Sequence, residues 1–206
     1  MIDDHVSPYT TYCDFESDAP FIWTLLESLS LEESQKDVNR VSFNVDHTLE
    51  ECNLAWSKFR LSKIRIDSIK SSYGTTHYRV TCNFNAVNGT GLVNRRDYLR
   101  DQVCNNEFLY ITHSSDYCVK VAFMNIRGQT CRSCSVSQKV TGSIHNHIDL
   151  SLTSSTCKTT TFSDAIPNED VFGQYSKPNP LFSCAANKDS TTQWWVGGLW
   201  VEESLS

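Results

Sequence analysis

The stretch Leu181–Trp200, with the sequence LFSCAANKDSTTQWWVGGLW, contains three of the five tryptophans of the chain within seven residues. Large aromatic side chains are costly to leave in water, so this cluster indicates either a core strand or the wall of a binding pocket. If the segment is extended, Trp194 and Trp195 point to opposite faces of a sheet, and one faces outward as a stacking platform for a ligand. Burial of both tryptophans under loops is the alternative.

Length and composition indicate a single globular domain. The chain has 206 residues, of which 39% are hydrophobic and 20% are charged, and this balance argues against disorder. The net charge is −6, with lysines and arginines scattered, so nucleic-acid binding is not expected. The longest apolar runs are only a few residues, which is too short to span a membrane.

Nine cysteines, spread from Cys13 to Cys184, are the strongest compositional signal. In an oxidising compartment they predict a disulfide framework, whereas in the cytosol they would indicate metal binding or catalysis. The sequon at Asn88 fits a glycosylated, secreted protein. However, the segment Met1–Cys13 lacks the basic and apolar regions of a signal peptide, and an odd number of cysteines leaves one thiol without a partner.

The residue pattern predicts an α+β organisation. The segment Thr48–Ser72 has apolar residues at mostly helical intervals and predicts one or two short helices. After Ile126 the chain is polar and irregular, which predicts a loop-rich final third. Four runs rich in β-branched and aromatic residues predict strands: Phe21–Ser28, His77–Phe84, Glu107–His113 and Tyr117–Ile126.

One cluster has the residue types of a zinc site. Cys131 and Cys134 are followed by His145 and His147, and thiolate and imidazole are the ligands that zinc prefers. The two histidines are closer together than zinc-finger spacing requires, and the chain is rich in cysteine. A disulfide between the cysteines, with the histidines in a loop, is therefore the favoured interpretation. We expect no bound metal.

Carboxylate and amide side chains in FSDAIPNEDVFG offer oxygen ligands of the kind that calcium prefers: Asp164, Asn168, Glu169 and Asp170. Their spacing does not follow an EF-hand loop, so a solvated loop is the favoured interpretation.

No motif of a known catalytic type is present, so we expect the chain not to be an enzyme. Asp14, Glu16 and Asp18 alternate along the sequence, which suggests paired carboxylates but more simply indicates a solvated strand edge. His77 shares a strand face with Arg79, and we interpret it as a surface or structural residue.

Three segments together resemble fibrinogen C-terminal-like domains. Thr11–Ser28 (TYCDFESDAPFIWTLLES) resembles their opening motif, and Cys184–Gly198 (CAANKDSTTQWWVGG) resembles their C-terminal motif. Between these, Trp56–Ile69 resembles the helix that follows the family's first subdomain. The overall run is most similar to a divergent group of fibrinogen-related proteins in invertebrates. X-type lectins (intelectins) share the opening motif and are the nearest alternative.

The resemblance implies a particular architecture. We expect residues 1–206 to form one domain that lacks its N-terminal portion, with a central antiparallel sheet, short helices and a loop-rich, disulfide-stapled C-terminal part. In the family, the cysteine matching Cys13 pairs with one upstream, so Cys13 should be the single free thiol. The resemblance also implies a disulfide between Cys157 and Cys184.

A C-terminal pocket for acetylated sugars and similar groups is the family's binding site. Two of its features are missing here: Ala185 replaces a histidine after the second cysteine, and the acidic calcium loop has no clear counterpart before Cys157. Calcium binding stays open, and no other cofactor is expected. The residues that the resemblance places at the pocket are Tyr175, Ser183, Cys184, Ala185, Asn187, Trp194 and Trp195.

The resulting hypothesis is a secreted, non-enzymatic, lectin-like module that binds glycans or acetylated groups in pattern recognition, as in innate immunity, or in adhesion. The alternative is a structural or adhesive domain of the extracellular matrix without a small-ligand site. A zinc-dependent protein is the third hypothesis. The expected partner is a glycan or a protein, with no nucleic acid and no membrane insertion, and an oligomer formed through the missing upstream segment stays open.

Overall fold

The computed structural model of the chain describes residues 9–86, 97–104, 115–140, 147–149, 166, 169–173 and 175–200. Within them, ten strands form one sheet in which every pairing is antiparallel. The strands are β1 (Cys13–Asp14), β2 (Phe21–Ser30), β3 (Lys58–Arg60), β4 (His77–Cys82), β5 (Tyr98–Gln102), β6 (Ser115–Ile126), β7 (Gln129–Val140), β8 (His147–Asp149), β9 (Asp170–Val171) and β10 (Thr191–Leu199).

Helices are few and short in the described residues. The two α-helices are α1 (Leu31–Ser34) and α2 (Lys63–Lys70), and 3₁₀ turns cover Asp37–Asn39, Phe84–Ala86 and Ser183–Ala185. The Ser30 hydroxyl caps α1 by accepting a hydrogen bond from the Glu33 amide. The structure is therefore a mostly antiparallel sheet with few helices, in agreement with the coarse fold class predicted from the sequence.

The strand order places the quoted C-terminal stretch at the centre. The order is β1-β2-β10-β4-β5-β6-β7-β8-β9, with β3 added to β2. Strand β10 lies between β2 and β4 and pairs with both of them along most of its length. The alternating apolar residues of β2 and β4 thus meet the tryptophans of β10 directly.

Three of the four predicted strands are confirmed. Phe21–Ser28 lies in β2, His77–Phe84 contains β4, and Tyr117–Ile126 lies in β6. The fourth, Glu107–His113, lies outside the described residues. Strand prediction succeeded here because these runs combine β-branched and aromatic residues with alternation that matches the pleat.

The helix predicted over Thr48–Ser72 is confirmed only in its second half, where α2 forms. The first half is a turn followed by β3, because its backbone pairs with the sheet. Leu49 exchanges two backbone hydrogen bonds with Arg60, at 3.1 and 2.8 Å, and the Leu61 amide donates to Leu26 O at 3.0 Å. Edge pairing with β2 therefore overrides the helical spacing of the apolar residues.

The expectation of irregular structure after Ile126 is wrong for β7. This strand runs over twelve residues and forms a long hairpin with β6. Arg127 and Gly128 form the connecting turn, and both have positive φ, at 52° and 83°. Two-residue hairpin turns favour positive φ because it matches the twist of the strands, so this turn pairs the polar β7 with β6 despite its composition.

The disulfide predicted between Cys157 and Cys184 is wrong. Cys184 is bonded to Cys82, with their α-carbons 4.7 Å apart, which ties the 3₁₀ turn after Phe182 to the end of β4. Cys157 lies outside the described residues. The bond spans 102 positions, and in the chain-entropy model a loop of that size stabilises by about 4.7 kcal/mol.

Cys13 is a free thiol, as predicted, but it is not the only one. Cys52 and Cys104 are also free, and all three are exposed. Cys131 is bonded to Cys134. Cys118 is disulfide-bonded as well. The assumption that the other eight cysteines all pair is therefore wrong.

Two glycines allow β10 to sit between its neighbours. A Cβ at Gly197 would lie 1.9 Å from the Ile22 carbonyl oxygen, and one at Gly198 would lie 1.8 Å from the Gly74 carbonyl oxygen. Backbone oxygens cannot move aside as a flexible side chain can. The two glycines of the WVGG motif are thus required by close backbone approach at this end of the sheet.

We predict that Gly197→Ala lowers the free energy of unfolding by about 3 kcal/mol or more, because the added methyl group overpacks the contact with β2. Urea unfolding measures this change. Leu199→Ala, two positions further on at a side chain that is 52% exposed, is the control and should change stability by less than about 0.5 kcal/mol. An alanine at 197 that leaves stability unchanged would contradict the described register.

Candidate functional site

The C-terminal residues that the family resemblance places at a pocket are mostly in the core. Ser183 is half-buried and Asn187 is exposed. The remaining five are buried, with exposures of 4% or less: Tyr175, Cys184, Ala185, Trp194 and Trp195. The structure therefore places most of these residues in the core and does not gather them at one surface site.

The alternative in which one of Trp194 and Trp195 faces outward is wrong, and the alternative in which both are buried is confirmed. The two side chains do occupy opposite sides of β10, but both sides of the sheet are covered. Trp194 contacts the edge of the Phe43 ring, with centroids 6.2 Å apart, and Trp195 packs against Phe84, with centroids 4.7 Å apart. The pairing register between β10 and β2 shifts between the two tryptophans, at a bulge.

The polar members of the predicted site have local roles. The Ser183 amide donates to Asp97 Oδ2 at 2.8 Å, and the Ser183 hydroxyl contacts the same oxygen. Asn187 Oδ1 accepts from the Asp189 amide at 2.9 Å and shapes an exposed turn. The Tyr175 hydroxyl is 2.7 Å from Thr192 Oγ1 inside the core. These contacts stabilise the loop that precedes β10.

An open cavity lies beside Trp195, on the face of the sheet opposite Trp194. Its volume is about 150 Å³. Tyr12 and Leu54 stand at its mouth, each 39% exposed, while Phe59 is buried at its base. Its lining is almost entirely apolar and consists of Tyr12, Leu25, Leu54, Ala55, Trp56 and Phe59. We call this cavity the aromatic pocket.

Two rings of the pocket lining, Tyr12 and Trp56, pack against two rings outside the lining, Phe84 and Trp195. The Tyr12 ring meets the Trp56 ring edge-on at 5.1 Å between centroids, and the Trp56 ring stacks on Phe84 at 6.1 Å. Trp195 lies behind them, 6.0 Å from Tyr12 and 6.4 Å from Trp56. Aromatic rings at these separations and tilts attract one another beyond the area that they bury, so the four rings are cohesive.

A buried arginine supports these rings from the interior. The guanidinium of Arg79 lies 4.5 Å from the centre of the Trp195 ring, 5.1 Å from Phe84 and 4.8 Å from Trp23. Arg79 is fully buried, and its charge is balanced by Asp14, whose Oδ2 accepts from Nη2 at 2.7 Å. The cation and its carboxylate thus hold the rings from behind.

The carboxyl of Asp14 is held in its ionised form. Burial alone would raise its pKa, but the charge of Arg79 and hydrogen bonds from Ser17 outweigh burial and lower the pKa below its ordinary value. The Ser17 amide donates to Asp14 Oδ1 at 3.0 Å, and its hydroxyl donates to Oδ2. Asp14 therefore stays charged and paired at neutral pH.

Asp18 belongs to the same polar cluster. It accepts from Arg100 Nη1 at 3.1 Å and from the Tyr98 hydroxyl. Burial and the adjacent carboxylate raise the pKa of Tyr98 well above its ordinary value, so Tyr98 is a proton donor to Asp18. Nearby, burial and the positive charge of Arg100 lower the pKa of His77.

The interpretation of Asp14, Glu16 and Asp18 as a solvated edge is therefore wrong for the two aspartates. Both are buried, and only Glu16 is exposed. Their arginine partners lie on β4 and β5, far along the chain, so the sequence pattern could not reveal the pairing. His77 is buried at 8% exposure, which supports its structural interpretation.

A second buried cluster includes one of the acidic residues considered for calcium. Glu169 is fully buried and forms an ion pair with Arg127, and its Oε2 accepts from Asn179 Nδ2 at 3.1 Å. The solvated-loop interpretation is thus wrong for Glu169. Asp164 and Asn168 lie outside the described residues, and Asp170 belongs to β9.

The two cysteines that were considered as zinc ligands form the disulfide that the sequence analysis favoured. Cys131 and Cys134 are bonded to each other, so neither sulfur is a thiolate ligand in this form. His147 begins β8, while His145 and the sequon at Asn88 lie outside the described residues. Among the residues that the structure describes, no cluster of three or more metal-ligating side chains occurs.

No helix in the described ranges is long and apolar enough to cross a bilayer.

Comparison with known proteins gives no relative: no family model, no curated protein and no solved structure matches the chain.

We predict that Arg79→Met lowers the free energy of unfolding by about 3–5 kcal/mol, because it leaves the Asp14 carboxylate buried without its counter-charge. Since the folded-state pKa of Asp14 is lowered, the pair stabilises above the ordinary carboxyl value of 3.8 and loses that contribution as the pH falls through the folded pKa. The difference in free energy of unfolding between wild type and Arg79→Met should therefore become smaller in acid.

Thermal or urea unfolding at neutral pH and in acid tests this prediction. Glu16→Gln removes an exposed carboxylate two positions from Asp14 and is the matched control, with an expected change of less than about 0.5 kcal/mol. If the difference in free energy of unfolding between Arg79→Met and wild type stays constant across the acid range, titration of Asp14 does not account for the effect of the substitution.

Proposed function

We propose that this chain is a secreted, non-enzymatic recognition module of lectin type that binds glycans or acetylated groups in the aromatic pocket. The observation that carries the proposal is the pocket itself: an open, apolar cavity whose wall contains Tyr12 and Trp56. Sugar rings and acetyl methyl groups stack on aromatic faces, so this lining suits them chemically. The pocket replaces the C-terminal loop as the expected ligand site.

The pocket is preformed, which favours binding. Its loop is held by backbone hydrogen bonds, with the Ala55 amide donating to Asn53 O at 2.6 Å and the Lys58 amide to Ala55 O at 3.0 Å. The Ser28 hydroxyl donates to Trp56 O at 2.5 Å and ties this loop to β2. Because the loop is already ordered, a ligand does not have to supply the free energy of ordering it.

The pairing of the buried carboxylates supports a non-enzymatic role. Asp14, Asp18 and Glu169 each face an arginine, and Asp97 accepts hydrogen bonds from the Ser183 amide and the Arg127 amide, the latter at 2.7 Å. For Asp14 the pKa is lowered below its ordinary value, so this carboxylate is a poor general acid at neutral pH. These groups stabilise the sheet and its loops.

Secretion and a fibrinogen-related fold belong to the same proposal. Disulfides such as Cys82–Cys184 persist in oxidising compartments, which supports an extracellular location. The opening segment and the C-terminal segment that resemble the family are neighbours in space, since Trp23 pairs with Gly197 across β2 and β10. The free Cys13 agrees with the family's disulfide pairing, in which the partner of this cysteine lies upstream. The Cys82–Cys184 bond differs from the pairing that the resemblance implies.

A structural or adhesive role is the second candidate, favoured by exposed apolar side chains at one end of the sheet. Leu199 is 52% and Trp200 is 63% exposed, and Tyr73 is fully exposed next to Gly74, whose carbonyl faces Gly198. Large apolar side chains that are left in water together are typical of protein contact surfaces. This surface is separate from the aromatic pocket, so the two candidates are distinguishable by mutation.

We predict that N-acetylglucosamine, or a glycan that carries acetamido groups, quenches or shifts the intrinsic tryptophan fluorescence, because Trp56 lines the pocket. Leu54→Gln should weaken this binding by about tenfold or more, since it places an amide at the apolar mouth. A glycan array followed by fluorescence titration measures both effects. Glucose, which lacks the acetamido group, is the ligand control.

Tyr73→Ala is the matched protein control, because it removes an exposed aromatic ring outside the pocket, and it should leave glycan affinity unchanged. If no glycan binds, or if Leu54→Gln binds as wild type does, the pocket proposal fails. Adhesion to a protein-coated surface that is lost in Trp200→Ala but kept in Leu54→Gln would instead favour the second candidate.

A further inference from the structure

The Cys131–Cys134 disulfide lies on strand β7, at the side of the sheet away from the aromatic pocket's strands. Cys131 is opposite Met124 and Cys134 is opposite Val121 in the β6–β7 ladder. On the other edge of β7, the described residues of β8 pair only with Gln138 and Lys139. Among the described residues, the stretch of β7 that contains the disulfide therefore has a strand on one side only.

We expect the Cys131–Cys134 bond to contribute little to the stability of the fold. The ladder with β6 includes Cys131, Arg132 and Cys134, and only Ser133, whose φ is 51°, is left out of the register, so strand pairing holds this segment in addition to the disulfide. The bond closes a loop of only three positions, whereas Cys82–Cys184 spans 102. Because the stabilisation from a crosslink grows with the length of the loop it closes, Cys82–Cys184 stabilises the folded state more than Cys131–Cys134 does.

The surroundings of Cys131–Cys134 favour reaction with an external thiol. Both cysteines are only partly buried, and exposed Ser133 and Ser135 flank Cys134. Arg132, between the cysteines in sequence, is exposed, with its guanidinium 5.2 Å from the centre of the Phe123 ring. By contrast, Cys82 and Cys184 are buried at 3% and 0% exposure.

We propose that Cys131–Cys134 is an exchange-active disulfide that is reduced by low-molecular-weight thiols or by the thiol of a partner protein, independently of glycan binding. A thiolate attacks one of the two sulfurs, the S–S bond breaks, and the other cysteine leaves as a thiolate and takes up a proton. A second thiol then displaces the protein from the mixed disulfide. In total, two thiols are oxidised to one disulfide, and the protein gains two thiol groups.

The test compares the two disulfides within one molecule. We use a Cys13→Ser/Cys52→Ser/Cys104→Ser background, which removes the exposed free thiols and prevents scrambling. The folded protein is incubated with millimolar reduced glutathione, then alkylated and mapped by mass spectrometry. We expect Cys131–Cys134 to open at least about tenfold faster than Cys82–Cys184, and to close again when oxidised glutathione is added.

Two double variants show which of these disulfides is needed for the stability of the fold. Cys131→Ser/Cys134→Ser should melt within about 2 °C of the background protein, while Cys82→Ser/Cys184→Ser should lose about 10 °C or more. The proposal is overturned if Cys131–Cys134 opens no faster than the buried bond, if it does not re-form, or if its loss unfolds the domain. The comparison of rates stands even where the Cys82→Ser/Cys184→Ser variant fails to fold.

Discussion

The ion pair between Arg79 and Asp14 is the interaction on which the rest of the structure depends. The guanidinium is fully buried, and without the carboxylate it would be an uncompensated charge inside the sheet. With it, the same group becomes a surface on which Trp23, Phe84 and Trp195 pack. The short strand β1 positions Asp14, the carboxylate that balances the charge of Arg79. The aromatic pocket exists because the rings behind it are held in this way.

The sequence predicted local structure well wherever local pattern decides it. Phe21–Ser28 and Tyr117–Ile126 were recognised because alternation and β-branched residues report directly on a pleated, half-buried segment. The polar strand β7 was missed because its pairing comes from the hairpin with β6 and not from its own composition. The helix at Thr48 was wrong for the same reason, since Leu49 and Arg60 pair with each other as extended chain.

The candidate site was less predictable than the fold, because it depends on contacts between distant residues. Asp14 and Arg79 are 65 positions apart, so the alternation of acidic residues gave no sign that two of them are buried. The tryptophans were identified as important, but their adjacent positions could not show that both faces of β10 are covered. Cysteine pairing is equally non-local: the sequence does not distinguish Cys82 from Cys157 as the partner of Cys184, and family resemblance chose wrongly.

The central position of β10 also has a consequence for biosynthesis. This strand is translated after all the others described here, yet it lies between β2 and β4, which have no direct pairing in the strand order. Until β10 leaves the ribosome, β2 and β4 each have one edge with unpaired backbone N–H and C=O groups, and pairing that depends on distant segments is slow. Before β10 is synthesised, the nascent chain is therefore open to wrong strand pairing at the edges of β2 and β4.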